Sequence, residues 1–160
     1  MIKIQAPPPK PKKKNKAKPH GAGVICLDKG GKILIGKRAS YITDGGHWGF
    51  PGGGIEKDGR FVDAALREFE EETGYNGPFR IIDSITFSED DKKYKTFILV
   101  IPHLKPSVKT NDETEVFTWV SLNRIKELEP RHWIVDKILN SGELDEERID
   151  FYISLVEEGI

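Results

Sequence analysis

Residues 67–75, REFEEETGY, place four glutamates in one short stretch: Glu68, Glu70, Glu71 and Glu72. An α-helix turns about 100° per residue, so positions three and four apart share a face. A helix begun near Phe61 puts Phe61, Val62, Ala65, Leu66 and Phe69 on one broad apolar arc, as a helix lying on a core requires. Glu68, Glu71 and Glu72 then occupy the adjoining arc with Ala64. Glu70, Asp63 and Arg67 point elsewhere, with Asp63 and Arg67 spaced i, i+4 for an ion pair. Gly74 is placed to end the helix as its left-handed cap. Like charges at this spacing repel, and acids near a helix C-terminus oppose its dipole. A cation relieves both costs. Ligands that are all oxygen favour a hard divalent ion, Mg²⁺ or Mn²⁺. The plainer alternative is a solvated acidic face.

The elements that must hold this helix are legible on either side of it. GAGVICLD and KILIGKR are β-branched runs separated by DKGGK, which reads as a hairpin with a glycine turn. ASYITDGGHWGFPGGGIEKDGR follows with seven glycines and one proline, a shaped surface loop rather than a linker. Beyond the helix, FRIIDSITFS and KYKTFILVIPHL read as two strands joined by EDDKK, and EVFTWVSL as another. SLNRIKEL starts a helix with Ser121 as its cap. RHWIVDKILNSG is amphipathic and ends at Gly142. ELDEERIDFYISLVEEGI has the helical pattern Leu144, Ile149, Tyr152, Ile153 and Val156, a face that either completes the core or meets a second subunit. Trp119 and Trp133 fall in apolar-patterned segments and are expected in the core. Strands around one central helix, with helices at the end, indicate an α/β or α+β layered domain.

A chain of 160 residues suits one domain with a real core, and 37% apolar with 32% charged residues suits a soluble globular protein. No apolar run is long enough to span a membrane. The net charge of −1 hides an asymmetry: residues 1–18 carry seven of the 25 basic residues and no acid, leaving 18 against 26, about −8, on the rest. That opening segment, rich in Pro and Lys, is expected to be a disordered tail over 1–20, with one folded domain over 21–160. It lacks an apolar h-region and arginine, so it fits neither a secretory signal nor a transit peptide. KKKNK can serve nuclear import or touch nucleic acid, or simply be solvated. The single Cys26 excludes an internal disulfide and suits a reducing, cytoplasmic compartment. On a buried strand it behaves as a small hydrophobe.

Read whole, PGGGIEKDGRFVDAALREFEEETGY sets a glycine run directly before the acidic helix. Glycines let backbone approach a ligand closely, so a carbonyl there can reach the same cation. This stretch resembles the Nudix box: G, five residues, E, seven residues, then R-E-U-x-E-E-x-G-U, where U is bulky and apolar. Arg67 to Tyr75 match the second half at every specified position, and Gly53 matches the leading glycine. The first box glutamate falls on Gly59, so Arg67 needs another partner among Glu56, Asp58 and Asp63. HWGFPGGGIE, KILIGKR and EVFTWVSLNRI resemble flanking parts of the same family, extending the likeness over about 21–128.

The resemblance implies an α/β/α sandwich with a mixed central sheet, and hydrolysis of a pyrophosphate linkage in a nucleoside diphosphate derivative. It implies Glu68, Glu71 and Glu72 as metal ligands, with a backbone carbonyl of Gly52 or Gly53, and Arg67 as an orienting residue. A further acid before the late strand binds metal or acts as general base in many relatives. Asp112, Glu113 and Glu115 are available, with Glu113 favoured over Glu115. Arg38 is a candidate for phosphate or for an ion pair at the sheet edge. His47 and Trp48 flank the glycine loop, where Trp48 either stacks on a base or packs under the loop. A small nucleotide is the expected substrate. A nucleotide sensor with little catalysis, motivated by Gly59, and an enzyme of RNA 5′ ends, motivated by the lysine tail, are the alternatives.

Overall fold

GAGVICL is apolar or small at every position rather than at alternate ones, which is the signature of a strand covered on both faces. In the computed structural model, which describes residues 20–55 and 59–157, this segment is β1 (Gly21–Leu27), buried throughout. The lysine-rich segment, Glu56 and Asp58 lie outside the described residues. The other elements, in chain order, are β2 (Ile33–Arg38), β3 (Trp48–Gly49), β4 (Gly52–Gly54), α1 (Phe61–Thr73), β5 (Arg80–Glu89), β6 (Lys92–Val100), β7 (Thr114–Val120), α2 (Leu122–Ile125), α3 (Trp133–Ser141) and α4 (Glu146–Glu157).

The sheet runs β3-β2-β1-β6-β5, with β4 beside β1 and β7 beside β2. Among the described strands β1 and β6 pair in parallel, in register from Gly21 opposite Tyr94 to Leu27 opposite Val100, and the other pairs are antiparallel, so the sheet is mixed. Side chains alternate across a strand, and the two faces feed two cores. Val24, Cys26, Leu34 and Leu99 pack under Ala65 and Phe69 of α1. Ile25, Leu27, Ile33, Ile35 and Ile98 pack on the other face against Ile125, Ile134, Ile138, Ile149 and Tyr152 of α2 to α4. This is the α/β/α sandwich expected from the sequence. The C-terminal helix completes that second core, and its Tyr152 hydroxyl donates to Asp83 Oδ2 at 2.6 Å. Cys26 is fully buried, and burial lifts its thiol well above the ordinary range, so it is an inert part of the core.

The helix ends follow the local chemistry. Gly74 adopts φ 70° and donates to the Glu70 carbonyl at 2.8 Å, while Gly142 closes α3 at φ 73°. Ser121 Oγ accepts from the Arg124 amide at 3.2 Å at the start of α2. Two readings change. The glycine-rich stretch is not all loop: Gly52, Gly53 and Gly54 form β4, antiparallel to Gly23, Ala22 and Gly21 of β1, and Trp48–Gly49 form β3 against β2. A strand of glycines has no side chains to alternate, so periodicity cannot reveal it. Asp63 pairs with Arg60 at 3.6 Å rather than with Arg67.

Candidate active site

The acidic arc of α1 is set against β4, and the absence of side chains on that strand makes this possible. A Cβ on Gly53 would stand 2.6 Å from Glu68 Oε1, so glycine there lets the carboxylate meet the strand. Ala64, on the same arc, is fully buried. The three box glutamates differ in burial. Glu72 is only 8% exposed and its Oε2 accepts the Gly52 amide at 3.1 Å, Glu68 is half-buried, and Glu71 is exposed.

Burial first, and then the charges of Glu68 and Glu113, push the Glu72 carboxyl up to about 8 against the pull of the Gly52 amide and Arg38. Glu68 is raised first by burial, and also by Glu71 and Glu113, with Arg67 pulling the other way. Glu68, Glu71, Glu72 and Glu113 thus crowd one another's charge here.

Arg67 lies within this cluster rather than away from it. Its Nη1 donates to Glu68 Oε1 at 3.0 Å and Glu71 Oε2 at 3.1 Å, and its Nη2 reaches the Gly54 carbonyl at 3.4 Å. Glu113, on the exposed loop before β7, lines a hollow with Arg67, Glu68 and Glu71. Its carbonyl accepts from the Ala39 amide at 2.9 Å, which ties that loop to the end of β2. Glu115 sits exposed on β7 and lines neither this hollow nor the main cleft. Among the described residues no three acids, histidines or cysteines stand at metal-ligand spacing around one point. As placed, Glu68 and Glu71 turn to Arg67 and Glu72 to the Gly52 amide. In chemistry the donors fit a hard cation: oxygen-only carboxylates, one of them buried, beside a strand of backbone carbonyls.

A cleft of about 290 Å³ opens beside Glu72. Gly52–Gly54 and Glu72 line it, together with Arg38, Asp44, His132, Trp133, Lys92 and Tyr94. Tyr94 lies across the glycines of β1 and β4: a Cβ on Gly23 would stand 2.9 Å from its hydroxyl oxygen, and one on Gly52 2.5 Å. Trp133 meets Tyr94 edge-on at 5.9 Å, and Lys92 Nζ stands 5.6 Å from the Trp133 ring centre.

Of the residues that sequence reasoning offered for substrate, Arg38 lines this cleft, its Nε donating to the Thr43 carbonyl at 3.0 Å. His47 and Trp48 are not in its lining. The His47 ring nitrogen Nδ1 lies 3.0 Å from the Asp44 carbonyl, and Trp48 packs on the core. The Trp48 backbone instead fastens the start of α3: its amide donates to Pro130, and its carbonyl accepts from His132, both at 2.8 Å. This pairing delivers His132 and Trp133 to the cleft. Trp133, expected as core, both packs on the core and faces the cavity. Asp44, Lys92, Tyr94 and His132 were not singled out, because nothing local to 44, 92–94 or 132 signals that the fold brings them together.

A NUDIX domain model matches residues 17–140. An 8-oxo-dGTP diphosphatase of Proteus vulgaris is 44% identical over 61 residues, 38% of this chain and 54% of that protein. An RNA pyrophosphohydrolase of Pelagibacter ubique is 37% identical over 54 residues, 34% of this chain and 33% of that protein. These matches therefore span between a third and about half of the relatives' own length. Among solved structures, a Nudix hydrolase from M. smegmatis superposes with a TM-score of 0.65 at 20% identity, over 80% of this chain and 89% of that one, a likeness of fold.

Proposed function

Because the chain belongs to the NUDIX family, we propose that it hydrolyses a pyrophosphate linkage in a nucleoside diphosphate derivative with a divalent metal. The observation that carries this reading is the seating of the acidic helix face on a side-chain-free strand, with Glu68 against Gly53 and Glu72 bonded to the Gly52 amide. Crowded carboxylates repel a pyrophosphate unless cations lie between them. Glu68, Glu71 and Glu72, with a carbonyl of Gly52 or Gly53, would hold Mg²⁺ or Mn²⁺. Such an ion neutralises phosphate oxygens and acidifies bound water.

The chain's own residues supply the rest. Arg67 fixes the orientation of Glu68 and Glu71 through its two hydrogen bonds. Arg38 presents a guanidinium to the cleft, where a phosphate can meet it. Glu113, which lines the hollow with Glu68 and Glu71, would accept a proton from water or complete the ligand set. Glu115 lies apart from it and is the weaker candidate.

The test is metal-dependent turnover of nucleoside triphosphates, dinucleoside polyphosphates, ADP-ribose, nucleotide sugars and 5′-triphosphorylated RNA. Hydrolysis of at least one class, abolished by chelation and by Glu72→Gln, is the expected result. Tight nucleotide binding with no turnover of any class would replace this reading with that of a sensor.

A further inference from the structure

His132 caps α3, its Nδ1 accepting the Ile134 amide at 3.3 Å. A neutral imidazole with Nδ1 as acceptor carries its hydrogen on Nε2. Burial first, and then the Arg38 charge, hold this ring below its ordinary value and so keep it neutral. Nε2 stands 3.9 Å from Asp44 Oδ2, beyond hydrogen-bond reach. Among the described residues no hydrogen bond takes either atom, so a donor and an acceptor lie side by side in the cleft, neither committed to the other. Beside them Trp133 offers an aromatic surface steadied by Tyr94 and Lys92.

A ligand that satisfies both atoms must present an acceptor next to a donor on one planar edge. Purine bases with a 6-substituent do this: adenine through N1 and its amino group, guanine through O6 and N1–H. Such a ring also has a face to lay on Trp133. The cavity, about 290 Å³, is at the lower end of small-molecule pockets and suits a nucleoside rather than a larger conjugate. We propose that Asp44 and His132 are the specificity-determining pair of this cleft, reading the polar edge of a purine base stacked on Trp133. This rests on the nucleotide reading above, and deepens it by naming which part of the substrate is recognised and by what.

Two substitutions remove the reading groups while keeping the local structure. His132→Asn retains a side-chain oxygen to cap α3 but loses the Nε2 donor. Asp44 has φ 58°, a left-handed conformation that glycine adopts freely, so Asp44→Gly keeps the backbone and removes the acceptor. Calorimetric titration of the full chain with AMP, GMP, purine riboside 5′-monophosphate and ribose 5-phosphate separates the terms. The wild type should bind AMP or GMP at least about tenfold more tightly than the purine lacking a 6-substituent, because a base laid over the half-exposed Asp44 without a donor for it takes water from the carboxylate and returns no hydrogen bond. Asp44→Gly should reduce that ratio to about twofold or less for AMP and GMP, and His132→Asn should do so for GMP, whose O6 takes the Nε2 hydrogen, neither weakening ribose 5-phosphate. A ratio near one in the wild type, or unchanged in both variants, overturns the proposal while leaving a hydrolase intact. Binding of no nucleotide, together with no turnover in the panel above, would instead bring down the function itself.

Discussion

Glu72 combines the deepest burial among the box glutamates with a proposed role as ligand, and the two together predict opposite effects of one substitution. Its carboxyl is shifted from 4.5 to about 8, chiefly by burial. A raised acid means that the folded protein keeps a proton which the unfolded chain releases. The stability it contributes is therefore full below about pH 4.5 and is lost as pH rises through about 8. Gln at this position keeps an oxygen for the Gly52 amide but carries no charge to desolvate. Metal-free Glu72→Gln should be more stable than wild type at about pH 8.5, by on the order of a few kcal/mol, and so melt at a higher temperature, and the gap should close at about pH 5. The same variant should lose most metal-dependent turnover. Thermal melts at the two pH values beside one activity assay check both halves, and a variant with near wild-type turnover would remove Glu72 from the ligand set.

Gly59 is the second residue with a definite expectation. Its φ is +75° and a Cβ would meet no atom within 4 Å, so the obstacle to a side chain is conformation rather than space. Gly59→Glu should cost roughly 1–2 kcal/mol and should not raise turnover, since Arg67 is already bonded to Glu68, Glu71 and the Gly54 carbonyl. A faster enzyme of unchanged melting temperature would show that the box glutamate is missed here. The box residues were legible because one helical period and one cap bring them together. Asp44, Lys92, Tyr94 and His132 were not, because they come from a loop, from β6 and from the cap of α3, which only the fold makes neighbours.

Among the elements, those read correctly had patterns carried by side chains: apolar runs for β1 and β2, i, i+4 spacing for α1, and capping residues for α2 and α3. β4 escaped because its three residues are all glycine. What specifies it is what the glycines permit. A Cβ on Gly52 would stand 2.7 Å from the Ala22 carbonyl oxygen, 2.8 Å from Gly23 Cα and 2.5 Å from the Tyr94 hydroxyl oxygen. Two of those neighbours are backbone and cannot swing aside. Gly52→Ala should therefore force β4 away from β1, at a cost of about 1–3 kcal/mol, and carry the Gly52 amide off Glu72. The expected outcome is a lower melting temperature with a loss of turnover larger than the loss of folded protein. Gly46 is a suitable control, since its Cβ would meet nothing within 4 Å although its φ of +79° still strains a side chain. Gly46→Ala should destabilise with far less effect per folded molecule, and equal losses for the two variants would mean that the β4–α1 contact does not shape the site.

At the scale of the whole molecule the charge is divided between a basic opening segment and a body of about −8, as 18 basic residues face 26 acidic ones beyond residue 18. An acidic body repels a polyanion at a distance, whereas a small nucleotide needs only the local cations of the cleft. A segment of this Pro and Lys composition is expected to add little to a core. Deleting residues 2–18 should then leave melting temperature and turnover of a mononucleotide substrate almost unchanged. A long RNA is different. Each lysine that meets a phosphate releases counterions, so the affinity it contributes falls steeply with salt. If RNA 5′ ends are substrates, the deletion should raise KM for triphosphorylated RNA at low salt, and full-length and truncated proteins should converge as salt is increased. An equal effect on RNA and mononucleotide would place the segment over the cleft, and no effect on either would leave it without a role in substrate capture. Measured side by side across a salt series, the two substrates distinguish a lysine arm that recruits a polyanion from one that only solubilises the chain.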